Sequence, residues 1–117
     1  MTATEKDRRK APRIPLKTPI VFKPLGRKKE FTSDYSENLS TNGIFLVTDV
    51  PLEIGIQLEL HFSLPNSRKL IKAEGRVVWK TKHQEGKDEH EGVGIEFTKI
   101  DDESKKIISE FVERNVG

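Results

Sequence analysis

Two short groups of residues in this 117-residue chain have types and spacings that suit ligand recognition. The first is Arg9-Lys10-Ala11-Pro12-Arg13, preceded by Arg8. It sets two guanidinium groups four positions apart on a proline-stiffened segment, about 12 Å apart if the segment is extended and closer if it turns. Guanidinium makes two parallel hydrogen bonds to the O6 and N7 edge of guanine, stacks on a base, or clamps a phosphate. The plainer reading is a solvated basic arm. The second group is Asn38-Leu39-Ser40-Thr41-Asn42-Gly43. Asn offers a donor and an acceptor to a base edge, Ser a hydroxyl to a phosphate or to the backbone, and Gly a close backbone approach and a positive φ. Asn-Gly between two strand-like runs is equally the signal of an ordinary hairpin.

Other chemistries find little support. His83 and His90 lie in a charged segment with Glu85, Asp88, Glu89 and Glu91, and His61 falls on the wet face of a strand pattern; none has the fixed spacing of a zinc site, so no metal is expected. There is no Gly-x-Ser-x-Gly elbow, no Gly-x4-Gly-Lys-Ser/Thr loop and no Gly-x-Gly-x-x-Gly turn, so the chain reads as a binding protein with no cofactor and no enzymatic activity. The absence of cysteine removes disulfide frameworks and thiolate chemistry and fits a reducing compartment. The longest apolar run, Ile44 to Val47, is far short of the roughly 18 residues a membrane span needs, and the first residues lack the apolar segment of a secretory signal. A cytoplasmic protein is the expectation.

Net charge is +2, from 21 basic and 19 acidic residues, too near neutral for a general nucleic-acid coat. Its location is more telling: residues 1–13 hold five basic and two acidic residues, leaving the remainder slightly acidic. A small anionic ligand suits this distribution better than a long polyanion.

The elements that must hold these groups are mostly strands. Pro12, Pro15 and Pro19 remove backbone donors and push Ala11, Ile14 and Thr18 toward extended geometry, so residues 1–13 read as an arm outside the core. Beyond it, Ile56, Leu58, Leu60, Phe62 and Leu64 alternate with polar residues, as do Ile71, Ala73, Gly75, Val77 and Trp79, and then Val93, Ile95 and Phe97. Phe62, Trp79 and Phe97 thereby fall on inward faces. Pro19 to Phe22 and Phe31 to Leu39 complete the strands with Ile44 to Val47, whose apolar character on both faces calls for cover on each side, from a helix or a second copy. Turn signals separate these runs at 25–28, 42–43, 51–55 and 65–67, with a charged loop from Lys82 to Gly92. Six short strands of this kind predict an antiparallel β-barrel, with Gly75 at a bend. A single helix over about 101–116 follows, capped by Asp101 or Asp102 and packing Ile107, Ile108, Phe111 and Val112 on the barrel. Residues 14–117 read as one domain.

The ordered set of Arg9-x-x-x-Arg13, Asn38-x-Ser40-x-x-Gly43, Pro51-Leu52, Gly55, Gly75-Arg76-Val77-Val78-Trp79 and Gly92-Val93-Gly94-Ile95-Glu96-Phe97 before a terminal helix resembles the PilZ domain family, bacterial receptors for cyclic di-GMP. The resemblance covers nearly the whole chain from Arg8. It implies a six-stranded, split-barrel fold with a C-terminal helix. It also implies that Arg9 and Arg13, with Asn38, Ser40 and Gly43, contact cyclic di-GMP, while Arg8 influences whether one or two ligand molecules are captured. Binding would order the arm and change contacts with a separate effector protein serving motility, envelope or biofilm machinery, in a monomer or a ligand-dependent dimer. A PilZ-like adaptor that binds no nucleotide and a small nucleic-acid-binding barrel are the alternatives.

Overall fold

The computed structural model describes residues 12–27, 30–85 and 88–116, and for residues 83–85 and 88–90 the backbone only. The expected arm, residues 1–13, therefore lies outside the described residues except for Pro12 and Arg13, both exposed. The strands are β1 (Ile14–Pro15), β2 (Pro19–Pro24), β3 (Thr32–Leu39), β4 (Gly43–Val47), β5 (Gln57–Phe62), β6 (Ile71–Glu85) and β7 (Asp88–Ile100), followed by helix α1 (Asp102–Asn115). Six of them run β3-β2-β5-β6-β7-β4, every neighbour antiparallel, and β4 pairs back onto β3 to close a barrel with no free edge along its circuit. The six-stranded antiparallel barrel with one C-terminal helix is the predicted fold.

Period-two alternation builds the interior. In β5, Leu58, Leu60 and Phe62 point inward, and Ile20, Phe22, Ile71, Val77 and Ile95 meet them from neighbouring strands. β6 departs from regular pairing twice, at Glu74/Gly75 and at Val77/Trp79. The first irregularity falls at the glycine expected to bend the strand, where a Cβ would sit 2.5 Å from the Ile95 side chain.

β1 continues the line of β2 along β3, and the gap between them is where Pro15 and Pro19 withhold backbone donors. Ser36 spans that gap. Its N–H donates to the Thr18 carbonyl at 3.0 Å, its hydroxyl accepts from the Thr18 N–H at 3.0 Å, and the same hydroxyl donates to the Leu16 carbonyl. At 2% exposure, Ser36 satisfies backbone groups that water does not reach.

Asp101 caps α1, accepting from the Ser104 N–H at 2.6 Å, and Asp102 and Glu103 suit the positive end of the helix dipole. Ile108 and Val112 join the barrel core, with Ile107 and Phe111 half-buried beside them. A contact between Lys69 and Glu103 at 2.8 Å ties the start of α1 to the segment before β6.

One element differs from the sequence reading. The described part of the charged stretch from Lys82 to Gly92 is strand, not loop: β6 runs on to Glu85 and β7 starts at Asp88, in register, with Lys82 opposite Glu91 and Gln84 opposite Glu89. A stretch made of polar and charged residues shows no apolar alternation, and the opposite charges of Lys82 and Glu91 at 3.7 Å suit strand pairing.

Replacing Ser36 by Ala leaves the Thr18 N–H buried without its partner, which costs about 1–3 kcal/mol; urea unfolding is expected to show the midpoint lowered with an unchanged slope. A second expectation concerns acid. Hydrogen bonding from Ser104 holds the Asp101 carboxyl below its ordinary value, so it stabilises the fold above the unfolded-state pKa and loses that contribution as pH falls through the folded-state value. Thermal midpoints followed from about pH 5 to about pH 2 should therefore fall less steeply in Asp101→Asn than in the parent chain.

Candidate functional site

The turn joining β3 to β4 is built by Ser40. Its N–H donates to the Gly43 carbonyl at 2.9 Å, and its buried hydroxyl accepts from the N–H groups of Asn42 at 3.2 Å and Gly43 at 3.1 Å. The turn is fastened to β7 by a hydrogen bond from the Phe97 N–H to the Asn42 carbonyl at 2.8 Å. Gly43 pairs with Glu96, and a Cβ there would lie 2.1 Å from the Ile95 carbonyl oxygen. Close approach is thus what requires this glycine. The positive φ also expected of it is absent; the left-handed glycines among the described residues are Gly26 and Gly55.

Asn38 ends half-buried near the end of β3, paired with Pro15 of β1 on one side and Phe45 of β4 on the other. Because β1 lies alongside β3, the residue just before β1 is carried to the same place. The exposed Arg13 donates from Nη1 to Asn38 Oδ1 at 2.9 Å, joining groups 25 positions apart in sequence.

These residues border an open groove of about 1050 Å³ whose lining also includes Trp79, Glu96, Lys99, Asp102 and Lys105. It runs from the Ser40 turn across the outer face of β7 to the first turn of α1. Guanidinium, carboxamide, backbone amides and an aromatic ring thus face one space, a set able to bind an anion that also carries flat, hydrogen-bonding rings.

The family model for the PilZ domain matches residues 7–114. The chain belongs to the PilZ domain family. Comparison with curated protein sequences gives no significant match. Among solved structures, the Bacillus subtilis inhibitor of motility MotI/DgrA is similar with a TM-score of 0.75 at 21% identity, over 92% of this chain and 50% of that one. The present chain thus spans about half the length of MotI/DgrA. The PilZ domain of Escherichia coli YcgR, solved with c-di-GMP, is similar with a TM-score of 0.73 at 11% identity, over 92% of this chain and 91% of that one. Borreliella burgdorferi PlzA, in complex with c-di-GMP, gives 0.60 at 9% identity, over 90% and 51%. At these identities the likeness is one of fold.

Of the candidate residues singled out in the sequence, Arg13, Asn38, Ser40 and Gly43 come together at one end of the groove, whereas Arg8 and Arg9 lie outside the described residues. The Ser40 hydroxyl is engaged within its turn. His61 sits away from the groove, 2.8 Å from Glu59 and against the Phe31 ring, and no cluster of three metal-ligating side chains occurs among the described residues.

Trp79 is the groove residue that alternation placed wrongly. Val77 pairs with Ile95 and Trp79 with Gly94, so Val78 stands outside the pairing and the strand changes phase; Phe62 stays inward as expected, while Trp79 emerges 39% exposed. Its ring lies over Gly94, where a Cβ would come 2.0 Å from the indole nitrogen, and 5.1 Å from the Phe45 ring, which in turn covers Gly92. Part of the outer cover of β4 therefore comes from Trp79 and the bare backbone of β7. The Gly92-x-Gly94 spacing, two missing side chains on one strand face, was the signal for it.

Gly94→Ala should push the indole off β7. The single tryptophan of the chain then reports directly, with a red-shifted emission maximum and an unchanged far-ultraviolet circular dichroism spectrum; unchanged emission would contradict the seating described.

Proposed function

We propose that this PilZ domain is a receptor for cyclic di-GMP. The observation that supports the reading is the meeting of Arg13 and Asn38, one from each motif, at 2.9 Å on the rim of a groove that also holds Trp79. The ligand carries two guanines and two phosphodiesters in a compact ring, and the groove offers a complement to each. Arg9 and Arg13 take guanine edges, faces and phosphate, and Asn38 hydrogen-bonds from the opposite side. Ser40 contributes by holding the turn, Gly43 by letting the backbone come close, and Trp79 by stacking on a base. Arg8 joins the pair and influences whether one or two ligand molecules bind.

Ligand capture draws the arm of residues 1–13 onto the barrel and so changes the surface that a separate effector protein meets. Of the three structural neighbours named above, two were solved with c-di-GMP and the other is named for inhibition of motility, which makes control of motility or biofilm machinery in the cytoplasm the proposed output. The role is that of a receptor with no catalytic step.

Calorimetric titration with cyclic di-GMP, with Trp79 fluorescence and solution mass followed in parallel, tests the reading. Micromolar or tighter binding with a change in emission is expected. Arg9→Ala and Arg13→Ala should each weaken it by at least about tenfold, as loss of a charge-assisted, paired contact implies. No heat and no emission change at micromolar ligand, or unaltered affinity in both variants, would sink it.

A further inference from the structure

We infer that Glu96 reads the base: its carboxylate accepts hydrogen bonds from N1–H and the exocyclic N2 amino group of one guanine, making it a residue that selects guanine over adenine from the edge opposite the one the arginines take. The inference rests on the cyclic di-GMP reading above and names a specificity determinant of that same groove.

The first observation is position. Glu96 lies on β7 between Ile95 and Phe97, whose side chains face the barrel interior, so Glu96 shares the outer face with Gly94, two residues earlier. The indole of Trp79 rests over Gly94, which puts an aromatic plane and a carboxylate next to one another on the same strand face. Across the strand pair, Glu96 faces Gly43, which carries no side chain and ends the Ser40 turn. Both Glu96 and Trp79 line the groove that Arg13 and Asn38 border.

The second observation is charge. Glu96 is exposed and takes part in no ion pair with another described residue, although Arg76 lies opposite it in the β6–β7 register. An unneutralised carboxylate in a groove that receives two phosphodiesters opposes binding, unless it accepts hydrogen bonds from the ligand. The donors such a ligand offers are the ribose hydroxyls and the N1–H and N2–H of guanine. The latter two run parallel on one base edge, at the spacing of the two oxygens of a carboxylate, and a charged acceptor makes such bonds short and strong. Adenine presents a lone pair at N1 and repels the same group. The groove's other carboxylate without an ion pair, Asp102, is accounted for by the helix start, where negative charge meets the positive end of α1.

The test compares cyclic di-GMP, cyclic di-IMP, which lacks the N2 amino group, and cyclic di-AMP, titrated into the full chain and into Glu96→Ala and Glu96→Gln, with circular dichroism verifying the fold. The parent chain is expected to bind cyclic di-GMP at least about tenfold more tightly than cyclic di-IMP and to discriminate further against cyclic di-AMP. Glu96→Ala should lose about tenfold or more for cyclic di-GMP and bring it to within about threefold of cyclic di-IMP, with Glu96→Gln falling between. If Glu96→Ala binds cyclic di-GMP as well as or better than the parent chain, the carboxylate merely repels and the inference is overturned, as it is if all three ligands weaken alike. Absence of cyclic di-GMP binding by the parent chain overturns the receptor reading itself, and the inference with it.

Discussion

The close approach of β4 to β7 at Gly43 is the constraint on which both the barrel and its groove depend. With the Ile95 carbonyl 2.1 Å from where a Cβ would stand, any other residue would force two backbones apart. Because they do not separate, β4 spans from β7 to β3 and the circuit of strands closes. The same contact locks the Ser40 turn against β7 through Asn42 and Phe97, so the segment that closes the barrel is also the segment that presents Asn38 to the groove. Fold stability and site geometry therefore share one point of support.

Two serines do related work at the places where backbone pairing is interrupted. Ser36 bridges the proline-flanked break between β1 and β2, and Ser40 folds the chain from β3 into β4. In each case a small buried hydroxyl satisfies neighbouring backbone groups that regular pairing leaves over, which is the condition for interrupting a sheet in the protein interior. Their positions matter to the site because Arg13 hangs on β1, and the Ser36 bridge spans the break between β1 and β2 on their common neighbour β3.

Much of this was legible in the sequence. Alternation in β5 and the first half of β6 named the inward residues correctly, and the stripe ending in Ile108 and Val112 located the helix face, because burial on one side leaves a direct imprint on residue order. The imprint failed where pairing geometry, not burial, set the outcome. A single unpaired residue, Val78, turned Trp79 outward, and no periodicity rule foresees a bulge. The described strand within Lys82 to Gly92 shows no apolar alternation, so its composition resembled a loop. For Gly43, the Asn-Gly pair suggested a special φ, whereas the requirement comes from a strand that lies more than 50 positions later in the chain. The partnership of Arg13 with Asn38 was foreseeable only through the family resemblance of their motifs.

The bond between Arg13 and Asn38 has a consequence for how the groove is entered. The guanidinium and the carboxamide are already partners at 2.9 Å, so a newcomer meets a site whose hydrogen-bonding capacity is partly spent internally. In the proposed receptor, recognition would be an exchange: one contact inside the protein is given up as new ones to the ligand are made. A molecule that offers a single anion or a single base edge gains little from that trade, while one that engages both side chains at once recovers what was lost and more. In the receptor proposed above, the internal bond would act as a filter against half-matching ligands, and it lies one residue from β1.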